Sequence, residues 1–224
     1  MRAAPSLLLV ALLPLFAGCQ LLAEKPQTET TAGMTRMQGE LSAKGGQLLF
    51  KPCSESRYFA VVDSGNTGLL QEASALANEP GTLFADVGGN LSTSQIAGND
   101  GQLNVQRLYR VEHSNSACSD PNFKRLTLRA HGNEPDWDLK ASGKGMVLTR
   151  PGVPELAVPF LEEQLPDGRY NLSTEANGQR VDLWVAPQRC VDSMSGAVSH
   201  LSAELRVDGQ TMRGCAYYGG SRSD

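Results

Sequence analysis

Aromatic side chains are scarce in this chain of 224 residues, at 6%, and no cluster of Lys and Arg is interleaved with them. That excludes the stacking platforms and basic grooves with which proteins hold nucleic acid. A formal net charge of −4 gives no reason to restore such a partner. No CxxC pair occurs, so a redox motif of that kind is absent. His113, His131 and His200 are scattered and show no zinc-ligand spacing. There is no HExxH, no EF-hand loop and no G-x-S-x-G elbow. No cofactor and no metal are expected. Few aromatics beside 23 Gly and 12 Pro suit β-structure with many turns better than a helical bundle.

What is present begins at the first residues. Met1 and Arg2 precede the apolar segment AAPSLLLVALLPLFAG, which ends at Cys19. This is the layout of an export signal, and it is set aside before the fold is considered. The apolar run is too short, and Pro14 too disruptive, for a membrane span. Leu15-Phe16-Ala17-Gly18-Cys19 resembles a bacterial lipobox. The resemblance implies cleavage before Cys19, lipid on its thiol and acylation of its new amino group. Each buried CH₂ is worth roughly 0.8 kcal/mol, so several acyl chains make a durable anchor. Gln20, rather than Asp, follows the cysteine, which favours the outer over the inner membrane. The expected location is the outer membrane, lipid-anchored and facing the periplasm. Residues 20–32 are polar with one Pro and read as a flexible tether.

With Cys19 assigned to lipid, Cys53, Cys118, Cys190 and Cys215 remain, an even number suited to two disulfides in an oxidising compartment. Three pairings are open. Cys53–Cys118 with Cys190–Cys215 keeps each bridge inside one of the two domains proposed below.

Short strand-like runs follow the tether: MTRMQGEL, GGQLLFKPC and RYFAVVD, each bounded by Gly, Pro, Ser or Asp. Residues 67–77 are rich in Leu and Ala, with Thr67 placed to cap a helix and Glu79-Pro80-Gly81 to stop it. GTLFADVGGNLS and QLNVQRLYRVEHS read as strands again. Three strands, a helix and two strands is the order of a small five-stranded barrel of the OB type. Turn residues cluster at 118–122, and beyond them the pattern is almost all strand. A hairpin is expected with its bend at Gly143 or Gly145. Asn177-Gly178 and Asp208-Gly209 mark two more. The expected fold is all-β with one or two short helices. It comprises a signal segment (1–18), a lipidated tether (19–32), an OB-like barrel (33–120) and an antiparallel β barrel or meander (121–224).

Two stretches carry chemistry-bearing residues. HGNEPDWDL places His131, Glu134, Asp136 and Asp138 close together, as acid–base work or calcium binding would need. The plainer reading is a turn leading into a strand that starts at Trp137. CVDSMSGAVSHL contains Ser193, Ser195 and His200, but a nucleophilic serine also needs an orienting acid and an oxyanion hole. The plainer reading is a disulfide-closed turn in which Asp192 and the serines bind local amides.

GNEPDW, followed by C-x-D-x-MSG and then GCA, resembles a widespread family of poorly characterised bacterial envelope proteins. Their signature runs close to G-x-EP-F-W, then C-x-D-x-MSG and GC. The match covers Gly132, Glu134, Pro135 and Trp137, then Cys190, Asp192, Met194, Ser195, Gly196, Gly214 and Cys215. Asp136 departs from it, standing where the family usually has Phe. The first half resembles the OB-type domain of the NlpE family of outer-membrane lipoproteins. The shared features are GEL, F-x-PC at 50–53, RYFAV, the helix, a G-x-L strand and Cys118. That resemblance implies a Cys53–Cys118 bridge and a place in envelope-stress signalling or surface sensing. The family's CxxC motif is absent here, so copper binding is not carried over.

Two functions compete on this reading. One is a non-catalytic lipoprotein that binds or senses, with the membrane as one partner through its lipid and an envelope protein as another. The other is a periplasmic hydrolase or other enzyme built on Ser195 and His200, or on His131 and Glu134. Geometry separates them: a hydrolase needs Ser195 Oγ within hydrogen-bond reach of an imidazole in a concave pocket. In the binding reading the motif residues are structural supports, with Glu134 and Asp192 fixing their turns. The ligand and the oligomeric state are not set by the sequence.

Overall fold

The computed structural model describes residues 33–94, 98–176 and 178–222. Cys19, the tether and Asn177 lie outside the described residues. Gly33–Asp224 forms one compact unit.

Five strands of the first half close on themselves, with one helix packed against them. Strand β1 (Thr35–Lys44) turns through Gly45-Gly46 into β2 (Gln47–Pro52), followed by β3 (Phe59–Asp63). Both turn glycines have positive φ, 59° and 78°, the geometry of a two-residue hairpin loop that few other residues adopt cheaply. Helix α1 (Leu69–Leu76) follows, then β4 (Leu83–Ser92) and β5 (Gly101–His113). Strand β1 pairs with both β2 and β4, β2 with β3, β3 in parallel with β5, and β5 with β4. The sheet therefore closes in the order 1-2-3-5-4, which is an OB-like barrel. Asp63 starts the helix by accepting the N–H groups of Thr67 and Gly68 at 2.8 and 2.9 Å. Leu69, Ala73 and Leu76, at i, i+4 and i+7, are the face it buries against the barrel.

The rest of the chain is antiparallel. Strands β6 (Leu126–Asn133), β7 (Asp136–Ser142), β8 (Gly145–Arg150) and β9 (Val153–Val158) form a meander. Then come β10 (Leu161–Gln164), β11 (Tyr170–Ala176) and β12 (Gln179–Ala186). Two-residue strands β13 (Cys190–Val191) and β14 (Val198–Ser199) precede β15 (Leu201–Val207) and β16 (Gln210–Tyr218). Nine of these strands make a curled half-barrel in the order 10-11-12-15-16-6-7-8-9. Strict alternation makes its inner face: β6 reads buried at Leu128, Ala130 and Gly132, and β7 at Trp137, Leu139 and Ala141.

β13 and β14 behave differently. β14 pairs with β5 through Val198↔Val111 and Ser199↔Arg110, so this piece of the second half extends the first sheet. The chain crosses to the half-barrel at His200, whose N–H donates to Tyr109 O at 3.0 Å. Arg36 ties the sheets elsewhere. It makes a bidentate pair with Asp86, both distances 2.8 Å, and donates to the carbonyls of Tyr218 and Gly219.

Disulfides join Cys53 to Cys118 and Cys190 to Cys215. The first ties the start of the segment after β2 to the segment after β5. The second ties β13 to β16.

Candidate functional site

The two stretches singled out in the sequence meet in space. His131 and Asn133 lie near the end of β6, and Cys215 of β16 is the register partner of His131. The Cys190–Cys215 bridge thereby holds the loop of residues 192–196 beside the turn between β6 and β7.

Asp192 is the hub, 8% exposed. Its Oδ1 accepts from Ser195 Oγ and Ser195 N, both at 2.7 Å, and from Met194 N at 3.1 Å. Its Oδ2 accepts from Asn133 Nδ2 at 2.7 Å and lies 3.5 Å from His131 Nε2. Burial works against the charge, but hydrogen bonds from Ser195, Asn133 and Met194 outweigh it and hold the carboxyl below the usual range. The backbone closes the same loop: Gly196, at φ 68°, donates to Asp192 O at 2.9 Å, and Asp192 N donates to Ala197 O at 2.8 Å.

His131 is held below its ordinary pKa by burial and then by the neighbouring Arg129 charge, with Asp192 acting in opposition. Its Nδ1 is buried with no hydrogen-bond partner among the described residues.

Close packing explains the glycines. A Cβ on Gly214 would fall 1.9 Å from His131 O, and one on Gly132 would fall 2.2 Å from Arg213 O and 2.4 Å from Trp137 Nε1. Trp137 itself is 1% exposed and belongs to the half-barrel core. Pro135 follows Glu134 through a cis peptide bond in the turn. Glu134 is exposed and its side chain makes no hydrogen bond or ion pair among the described residues, so it does not fix the turn as the sequence suggested. Asn133 makes the link instead, and only the tertiary fold reveals it. Met194 is 80% exposed at the loop tip.

Ser195 Oγ donates to Asp192 and accepts from Ala197 N at 3.3 Å; neither partner is an imidazole. His200 Nδ1 donates to Tyr109 O at 2.8 Å, and its ring packs edgewise on Tyr109 and Tyr218. The fold therefore does not join Ser195 to His200. Nor does it join His131 to Glu134, since His131 faces Asp192. No group of three or more His, Cys, Asp or Glu able to hold a metal ion occurs among the described residues. No helix among them is long and apolar enough to cross a membrane.

A groove of about 710 Å³ lies on the barrel between the β1–β2 hairpin and α1. That volume falls within the range of ligand pockets. Leu41, Leu83 and Ala73 form its apolar floor, with Leu48 and Leu70 on its flanks.

No family model, no curated protein and no solved structure matches the chain.

Proposed function

We propose that this protein is a non-catalytic, lipid-anchored component of the outer membrane, facing the periplasm, that binds or senses an envelope partner. One observation supports this reading above the others. The Asp192 carboxylate, the most elaborately bonded acid of the motif region, is taken up by its own loop and by Asn133. A carboxylate so committed holds a loop in shape; it does not orient a histidine toward a nucleophilic serine. The anchor rests on the lipobox resemblance at Cys19, and the sensing role on the resemblance of the barrel half to the NlpE family. Strand order and the Cys53–Cys118 bridge agree with that resemblance.

Replacing Cys19→Ser should leave the precursor unprocessed or release the protein from the outer-membrane fraction. Unchanged processing and fractionation of that variant would remove the anchor from the proposal. Crosslinking the lipidated protein in intact envelopes should then recover a protein partner. Hydrolytic activity lost on Ser195→Ala or His200→Ala, with the thermal midpoint unmoved, would overturn the non-catalytic reading.

A further inference from the structure

The groove on the barrel borders a strand edge that no described residue covers. The β1–β2 register closes at Lys44↔Gln47 across a two-residue turn. The closing pair of such a hairpin exchanges backbone hydrogen bonds, and bonding then alternates along the strand. Lys44, Ser42 and Glu40 therefore bond toward β2, in phase with Cys53 N donating to Gln38 O at 2.8 Å. Leu41 and Ala43 point their N–H and C=O the other way. Leu41 finds β4 there, because the β1–β4 register ends at Leu41↔Leu83. Ala43 lies one step beyond the end of β4, in the wall of the groove. Its backbone donor and acceptor are aimed where a further strand would run.

The surroundings suit an added strand. Leu41 and Leu83 are buried beneath, while Leu70 and Tyr58 stand 43% and 42% exposed at the rim. The outer edges of the half-barrel are guarded in the ways that prevent pairing. β9 contains Pro154, and β10 follows Pro159 and carries Glu162 and Glu163. The end of β1 has no proline. Of the charges lining the groove, Glu40 and Lys51 offset each other at 3.5 Å. Glu79 makes no ion pair among the described residues, so the lining keeps one negative charge that none of them offsets.

We propose that this groove binds an extended segment of a partner protein as an added strand beside Ala43. The segment is apolar at alternate positions, to meet Leu41, Leu48 and Leu83, and carries a Lys or Arg at the end that reaches Glu79. Main-chain hydrogen bonds hold it and the alternate side chains select it. This deepens the binding reading and rests on it, since it names the partner chemistry.

The probe is the capped peptide acetyl-Val-Thr-Val-Thr-Val-Lys-amide, titrated into the full-length chain in detergent and followed by calorimetry and by amide chemical shifts. Binding should move the amides of 41–44 and of α1. Ala43→Pro removes the outward N–H but leaves the β1–β2 ladder intact, and should weaken binding about tenfold or more. A peptide N-methylated on its pairing edge should lose binding equally against the unaltered protein, a test that stands even where Ala43→Pro fails to fold. Glu79→Lys should reverse the preference between this peptide and its Glu-ended counterpart. Absence of binding, or binding indifferent to both Ala43→Pro and N-methylation, would overturn strand addition. If the peptide fails while envelope crosslinking still recovers a partner, this inference falls and the binding reading stands. If the peptide binds but no envelope partner is recovered, the groove stands and the envelope reading falls.

Discussion

Asp192 shows what one side chain does here. Replacing it with Asn keeps one acceptor for the loop amides but sets an amide donor against the Asn133 amide, or loses the loop bonds if the group is flipped. Either way a buried polar group is left badly paired, so Asp192→Asn should cost about 1–3 kcal/mol in chemical denaturation. A variant as stable as the parent would show the hub to be ornamental. His131, beside it, sets a pH dependence. Its folded pKa lies below the ordinary 6.5, so the unfolded chain takes the proton more readily. Its contribution is intact above about pH 6.5 and is lost as pH falls from there toward the folded value. Asp192 is also depressed, but its contribution is lost only in the acid range below the usual carboxylate pKa. His131→Gln should therefore flatten the fall in stability just below pH 6.5 and leave the later acid loss in place. Stability measured against pH for both proteins decides it. The sequence made Asp192 legible because Asp before a Ser-Gly turn has few local roles. Asn133 was not legible, because its partner is 59 residues away.

Among the elements, those with strong local signals were readable and those defined by distant neighbours were not. The barrel's strands and helix, and the hairpin at Asp208-Gly209, announce themselves by alternation and turn residues, and both disulfides follow the division into two halves. β9 and β10 carry no such signal: VPELAV holds a proline, and LEEQ is exposed throughout. β13 and β14 are two residues each, and their membership of the first sheet depends on β5 being long enough to reach them. Within β7, Trp137 fills the core against β6, and Trp137→Ala should cost about 3–5 kcal/mol, read from thermal and urea unfolding. A smaller loss would mean the half-barrel collapses into the space. Replacing Cys190 and Cys215 together by Ser frees β13 from β16. In the chain-entropy model a loop closed across 25 residues contributes roughly 3–4 kcal/mol, and the double variant should lose about that much. The loss should be accompanied by faster amide exchange in 190–199.

For the whole molecule, the question is whether barrel and half-barrel unfold together. Asp86 is fully buried on the barrel, and its charge is met by Arg36 and by Gln38 Nε2 at 3.0 Å. The same Arg36 guanidinium reaches the half-barrel carbonyls of Tyr218 and Gly219 and lies over the rings of Tyr109 and Phe123, at 4.2 and 5.2 Å. Arg110, 5% exposed, is sandwiched between Phe84 of the barrel and Tyr217 of the half-barrel. A buried and a half-buried cation shared between the two sheets make separation costly, since parting the sheets breaks their ion-pair, carbonyl and ring contacts together. The parent protein should therefore unfold in one transition. Both tryptophans, Trp137 and Trp184, lie in the half-barrel, so their fluorescence reports that sheet, while amide exchange in β1–β5 reports the other. The two should coincide in the parent. Arg36→Ala leaves Asp86 buried with Gln38 alone and removes both carbonyl bonds. It should cost about 3–5 kcal/mol and should separate the two probes into distinct transitions. Coincident transitions in the variant would mean that the β14–β5 pairing and the Arg110 stack suffice to couple the sheets, and that Arg36 only compensates the charge of Asp86.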